Sequence, residues 1–176
     1  MTNARCVPDD RIEIAVVRRL SHPGNGFTMS GHLDVSFEES RTMTWIVAYV
    51  GSALVMLVLD GIWLTVAAPR LYRPALGDLL MDGFRGMPAA VFYFLYVAGI
   101  LVLAVAPGLA AERWSIALTR GLALGLVAYA TYDLTNQATL RHWSTAVTII
   151  DMSWGTFLTG VAATAGYFAA TTWQGR

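Results

Sequence analysis

Four long runs of apolar residues follow one another after residue 42, separated by short polar or proline-containing segments. Apolar runs of about 18 residues or more are typical of transmembrane helices. These four cover, approximately, residues 45–68, 88–106, 116–140 and 144–173. Because about 20 helical residues cross a hydrocarbon core of about 30 Å, the pattern predicts an all-α membrane protein with four transmembrane helices in a small bundle.

The composition and the ends of the runs support this prediction. Hydrophobic residues make up 56% of the chain, and the mean hydropathy is +0.52. Tryptophans stand near the run ends, as the interfacial aromatic belt of a membrane protein requires. These are Trp45, Trp114, Trp143 and Trp173.

Residues 1–42 differ from the rest of the chain. They hold five arginines and six acidic residues, and they lack the apolar core of a secretory signal. Met43 stands directly before the first apolar run. We therefore expect residues 1–42 to be a disordered N-terminal extension or a start-site over-prediction, and residues 43–176 to be the membrane domain.

Charge and motifs exclude several classes of function. The 12 basic residues, all arginine, balance 12 acidic residues, so no nucleic-acid partner is expected. The only cysteine is Cys6, which excludes an intramolecular disulfide framework and a cysteine-ligated metal site. No Walker, Rossmann or GxSxG pattern is present, so no cofactor is predicted, and enzymatic activity stays undecided.

Three aspartates interrupt the apolar runs: Asp60, Asp133 and Asp151. An aspartate at the centre of a membrane helix costs about 2.5–3.5 kcal/mol on insertion, so such residues face a bundle interior and usually have a functional or pairing role. We name the side where the first and third helices end, and the second and fourth begin, side B. Counted from the helix ends at about 1.5 Å per residue, all three lie roughly 10–12 Å below side B.

Other polar and aromatic side chains lie at a similar depth or share a helix face with the aspartates. The second helix places two tyrosines near that depth, and i+3 or i+4 spacing adds neighbours on the other helices. The predicted ligand-binding set is Asp60, Trp63, Tyr93, Tyr96, Tyr129, Asp133, Asn136, Asp151 and Trp154.

The chemistry of this cluster allows two interpretations. Three nearby carboxylates in a low-dielectric medium cannot all be ionised, so they would share protons. The cluster would then be a pocket for a proton, a cation or a polar ligand, or else a set of structural hydrogen bonds that hold the bundle together. A metal site at Asp133, His142 and Asp151 is less favoured, because no metal-ligand spacing supports it, and none is predicted.

Membrane lipids are the expected partners of the connection between the first two helices. Residues 70–87 mix arginines, acids and leucines, which suits a short interfacial helix meeting anionic headgroups as well as an ordinary loop. After Met43, four arginines against three favour side B as the cytoplasmic side, and the five arginines of residues 1–42 would reverse this.

Three segments resemble DUF2177, a family of predicted bacterial inner-membrane proteins. They are Leu59–Leu64, Ala128–Asn136 and Asp151–Thr156, and they contain all three aspartates. The resemblance covers residues 43–176 and implies a multi-pass protein of four helices in the bacterial inner (cytoplasmic) membrane. It implies no particular activity.

Three functions remain open at this stage. The first is binding or transport of a proton, a cation or a small polar ligand, in a homo-oligomer because four helices enclose little space. The second is a membrane-embedded enzyme acting on lipids, with aspartates as acid and base. The third is a non-catalytic scaffold or assembly subunit in which the aspartates are structural.

Overall fold

Four long helices make up the part of the chain that the structure, a computed structural model, describes. That part is residues 29–81 and 83–175, with side chains from Glu39 onward except at Asp78 and Asp82. Within it no strand occurs, so the predicted all-α class is confirmed. The predicted extension is helical from Met29 onward, and its residues 1–28 lie outside the described part.

The first two helices each contain a wide π-helical turn. Helix α1 runs over Met29–Ala67, continues through a π turn at Ala68–Tyr72 and ends with an α turn at Arg73–Leu76; a 3₁₀ turn, Gly77–Leu79, follows. Helix α2 is built in the same way from Gly86–Ile100, a π turn at Leu101–Val105 and Ala106–Ala110.

The last two helices are regular. Helix α3 covers Trp114–Thr139, and helix α4 covers Thr145–Gln174. The Ser144 hydroxyl accepts a hydrogen bond from the Val147 N–H, which caps the start of α4.

Three of the helices are long and apolar enough to cross a membrane. These segments are Glu39–Leu76, Gly86–Ala110 and Thr145–Gln174. Helix α3 falls outside this set although its 26 residues are long enough. Arg120 and Asp133 lower its hydropathy.

The sequence pattern predicted that helix α1 ends at Ala68, directly before Pro69. In the structure the helix continues to Leu76. Proline has no N–H to donate, and its ring clashes with the carbonyl four residues earlier in an α-helix. The π turn widens the helix at this point, and the Arg73 N–H bonds to the Ala68 carbonyl, five residues back. The helix therefore continues through Pro69, and Tyr72 is the last residue of its π turn.

Small residues let the helices approach closely. A Cβ atom added to Gly125 of α3 would lie 2.3 Å from the Gly155 carbonyl oxygen of α4, and one on Gly121 would lie 2.8 Å from Ala163 Cβ. Gly121 and Gly125, which are spaced as GxxxG, therefore have a packing role. Helix α1 meets α4 in the same way, with Gly51 against Ala169.

The buried apolar side chains form one core in the middle of the bundle. Ala48 and Met56 of α1, Ile100 of α2 and Leu158 of α4 are fully buried there. The chain divides into two units after Glu39. This core lies in the second unit, Ser40–Arg176. The candidate site packs against it through Tyr93, Tyr96 and Trp154, which border the core.

Candidate functional site

Asp60 of α1 joins three helices through its two carboxylate oxygens. Its side chain is only 8% exposed. Oδ2 accepts a short hydrogen bond from the Tyr93 hydroxyl of α2, and Oδ1 accepts one from Trp154 Nε1 of α4 at 3.2 Å. Both acceptor atoms are therefore satisfied by aromatic donors, as a buried carboxylate requires.

Asp151 of α4 is also buried, and its partner comes from the π turn of α1. The Tyr72 hydroxyl donates to Asp151 Oδ1 at 2.5 Å, and it accepts from Trp63 Nε1 at 2.9 Å. Tyr72 thus links an indole of α1 to a carboxylate of α4. The sequence pattern did not identify Tyr72, because ending the helix at Pro69 removed it from the bundle. The only available signal was that Tyr72 follows the pair of Asp60 and Trp63 by a few residues.

The two tryptophans stack between these carboxylates. The rings of Trp63 and Trp154 lie 4.5 Å apart between centroids and are tilted by 11°. Each tryptophan follows an aspartate on its own helix by three residues, but it bonds toward the aspartate of the other helix. Trp154 donates directly to Asp60, and Trp63 is linked to Asp151 through the Tyr72 hydroxyl. We call these six residues the carboxylate network: Asp60, Trp63, Tyr72, Tyr93, Asp151 and Trp154.

Asp133 of α3 is different from the other two aspartates. It is fully buried, and neither carboxylate oxygen has a hydrogen-bond partner. Asp151 is close enough to interact with it electrostatically. Among the described residues, no arginine forms an ion pair with any of the three aspartates. An ionised carboxylate so placed would cost several kcal/mol, so Asp133 must carry a proton or hold a positive or hydrogen-bonding ligand.

The remaining predicted residues make contacts with groups other than the aspartates. The Tyr129 ring packs on Gly155, where an added Cβ would lie 2.0 Å from Tyr129 Cδ2. Asn136 is half-buried on the same face of α3. Tyr96 bonds no aspartate: its hydroxyl lies 2.9 Å from the Thr159 hydroxyl. Because Thr159 already donates to the Gly155 carbonyl, Tyr96 must be the donor.

A groove between α2 and α3 opens beside these tyrosines. Its volume is about 290 Å³. Its lining is almost entirely aromatic: Phe92, Tyr96, Ala128, Tyr129 and Tyr132. The groove is apolar, so it suits a hydrocarbon chain better than an ion.

No metal centre forms at these residues. Within the described ranges, no three histidine, cysteine, aspartate or glutamate side chains converge closely enough to hold a metal ion. His142 lies in the loop between α3 and α4, beside a different cavity. Asp60 and Asp151 are instead connected through tyrosine and tryptophan side chains.

Apolar helices of membrane length, joined by buried carboxyl and aromatic groups, define a multi-pass helical membrane protein. A family model described as a predicted membrane protein, DUF2177, matches residues 45–168. The chain belongs to this family, which confirms the resemblance found in the sequence. No curated protein and no solved structure matches the chain.

Proposed function

We propose that this protein binds and transports a proton, a cation or a small polar ligand in the bacterial inner membrane, and that Asp133 is its binding group. The observation that carries the proposal is the fully buried Asp133 carboxyl, whose two oxygens lack partners although Asp60 and Asp151 are hydrogen-bonded. Intramembrane carboxyls of this kind mark ion and proton pathways in membrane proteins.

A proton is the species that these side chains suit best. Carboxyl and tyrosine hydroxyl groups can each give and accept a proton. Two such pairs, Tyr93 with Asp60 and Tyr72 with Asp151, are hydrogen-bonded, and Asp151 interacts electrostatically with Asp133. The indoles of Trp63 and Trp154 hold these pairs in place. A series of exchangeable groups is what a proton relay requires.

Proton flux into liposomes tests the proposal. Purified protein is reconstituted around a trapped pH-sensitive dye, and a valinomycin-generated potassium potential, negative inside, drives protons inward. The wild type should acidify the lumen faster than protein-free liposomes, and Asp133→Asn should return the rate to the protein-free value. A wild-type rate equal to that of protein-free liposomes would contradict proton transport.

The matched control is Glu112→Gln, which makes the same carboxyl-to-amide change at an exposed loop residue far along the chain from the network. This variant should keep the wild-type flux. Circular dichroism and size-exclusion chromatography of both variants separate a lost function from a lost fold. An Asp133→Asn protein that folds and still conducts would exclude Asp133 as the binding group.

A second function has one observation in its favour. The aromatic groove beside Tyr129 has room for part of an acyl chain, and the buried carboxyls of the bundle could act as acid and base. This favours an enzyme acting on lipids. Comparison of membrane lipids in a strain lacking the gene with a strain expressing Asp133→Asn tests it, because a lipid enzyme would change the same lipid species in both.

A further inference from the structure

A second cavity lies at the side-B end of the bundle and shares no lining residue with the carboxylate network or the aromatic groove. We call it the side-B cleft, and its volume is about 380 Å³. One wall is the end of α1 with the turn that follows it, and the other is the loop between α3 and α4. The lining residues are Pro74, Ala75, Leu76, Gly77, Leu79, Leu140, Arg141 and His142.

The lining combines cationic or hydrogen-bonding groups with apolar ones. Arg141 presents a planar guanidinium, which matches a phosphate group with two parallel N–H donors. His142 adds a ring nitrogen next to it. None of the lining residues whose side chains the structure describes is acidic, and the other wall is contributed by proline, alanine, leucine and glycine. The cleft therefore suits an anion that carries apolar substituents.

The loop that carries Arg141 and His142 is held in place on both sides. Before them, the Leu140 N–H bonds to the Asn136 carbonyl at 2.8 Å. After them, Trp143 Nε1 donates to the Thr148 hydroxyl at 3.0 Å, and the Trp143 ring meets the edge of Tyr132. The backbone that carries the two donors is thus fixed before a ligand arrives, which lowers the entropic cost of binding.

The position of the cleft identifies the source of the anion. Both walls begin where helices end: α1 at Leu76 and α3 at Thr139. Phospholipid headgroups lie at this level, and basic pockets between helix ends bind them. A free phosphate ion would gain nothing from the leucines and the proline of the lining, whereas the glycerol and first acyl carbons of a lipid would. We propose that the side-B cleft binds the phosphate of one anionic phospholipid through Arg141 and His142.

Native mass spectrometry of the intact chain tests this assignment. The protein, released from detergent containing equal phosphatidylglycerol and phosphatidylcholine, should retain one phosphatidylglycerol per chain at collision energies that remove phosphatidylcholine. Arg141→Gln should lose this adduct. Arg141→Lys should retain it only in part, because lysine keeps the charge without the paired donors.

The control variant is Arg85→Gln, which removes an exposed arginine on the same side of the bundle, outside the cleft. It should keep the adduct. Equal retention of the two lipids, or equal retention of phosphatidylglycerol by the wild type and Arg141→Gln, would overturn the proposal. Displacement of the lipid by an equal concentration of inorganic phosphate would assign the cleft to a free anion instead and would overturn it as well. Because the cleft lies apart from Asp133, failure here leaves the proton-flux test unaffected.

Discussion

At the scale of single residues, the three buried aspartates differ in how their charge is compensated. Asp60 has two donors and Asp151 has one, and every donor is a tyrosine or tryptophan side chain. Asp133 has none. A buried polar group without a partner costs about 1–3 kcal/mol, and more if it is charged, which is why we propose a functional role for Asp133 rather than for the two hydrogen-bonded aspartates.

Removing the Tyr72 hydroxyl should weaken the network. Tyr72→Phe deletes one acceptor for Trp63 and one donor to Asp151, and it leaves both groups partly buried without partners. We expect a loss of about 1–3 kcal/mol in the free energy of unfolding, seen as a lower melting temperature in detergent.

Tyr132→Phe is the matched control, because Tyr132 is exposed and its contact with Trp143 is between the two rings. It should melt like the wild type. Equal melting temperatures for Tyr72→Phe and Tyr132→Phe would mean that the Tyr72 bridge does not form.

The residue-scale site could be predicted only in part. Spacing on the helices identified the aspartates and both tryptophans, because i+3 placement depends only on helix geometry. Spacing could not show that each tryptophan is hydrogen-bonded toward the aspartate of the opposite helix, since that depends on how α1 and α4 face each other. Thr159 was also missed, because a lone threonine in a glycine-rich segment carries no signal.

At the scale of the helices, close contact between α3 and α4 fixes the position of Asp133. Gly121 and Gly125 face Thr159, Gly160 and Gly155, and no space remains for a side chain there. This contact brings the polar face of α3 against α4 and buries the Asp133 carboxyl. The position of Asp133 thus depends on glycines, which have no functional side chain.

Gly125→Ala should disrupt this contact. Its new Cβ would lie 2.3 Å from a backbone oxygen of α4, so the helices must move apart. Overpacking of this kind costs about 1–3 kcal/mol, and more where the backbone must shift. We expect a lower melting temperature in detergent and a broader size-exclusion profile.

Gly61→Ala is the control for helix propensity, since no atom lies within 4 Å of its added Cβ. This variant should be as stable as the wild type or slightly more stable, because alanine favours the helix over glycine. If both alanine variants melt alike, the close contact of α3 with α4 is not present in the folded protein.

The helices themselves were largely predictable from hydropathy, and their irregularities were not. Apolar runs located all four, and the start of α4 after Ser144 matches the predicted boundary closely. The sequence pattern placed helix ends at prolines. In the structure Pro69 lies inside a π turn and Pro107 lies just after one, and the helix is continuous at both. Residue identity alone does not distinguish these two outcomes.

At the scale of the whole molecule, α3 is the helix whose membrane crossing needs testing. It is less apolar than the other three, yet it packs along α4. If it crosses, the loop before α3 and the loop after it lie on opposite sides of the membrane. Leu80, which follows the end of α1, then lies on the same side as the loop after α3.

Labelling of single cysteines tests this arrangement. Cys6→Ser removes the only native thiol, and Leu80→Cys, Ala111→Cys and His142→Cys each introduce one at an exposed position. A membrane-impermeant maleimide should react with positions 80 and 142 from one side and with position 111 only from the other. Reaction of positions 111 and 142 from the same side would show that α3 does not cross.

The protonation of Asp133 tests the central claim most directly. Infrared difference spectra of the reconstituted protein, recorded on changing from mildly acidic to mildly alkaline buffer, report protonated carboxyl groups through their C=O stretching band. We predict that one such band is lost on this change and is missing from the spectra of Asp133→Asn, while its helical content and melting temperature stay close to those of the wild type. A band that persists unchanged in the variant, or an Asp133→Asn protein that loses its fold together with the band, would contradict a functional Asp133 and favour a structural role.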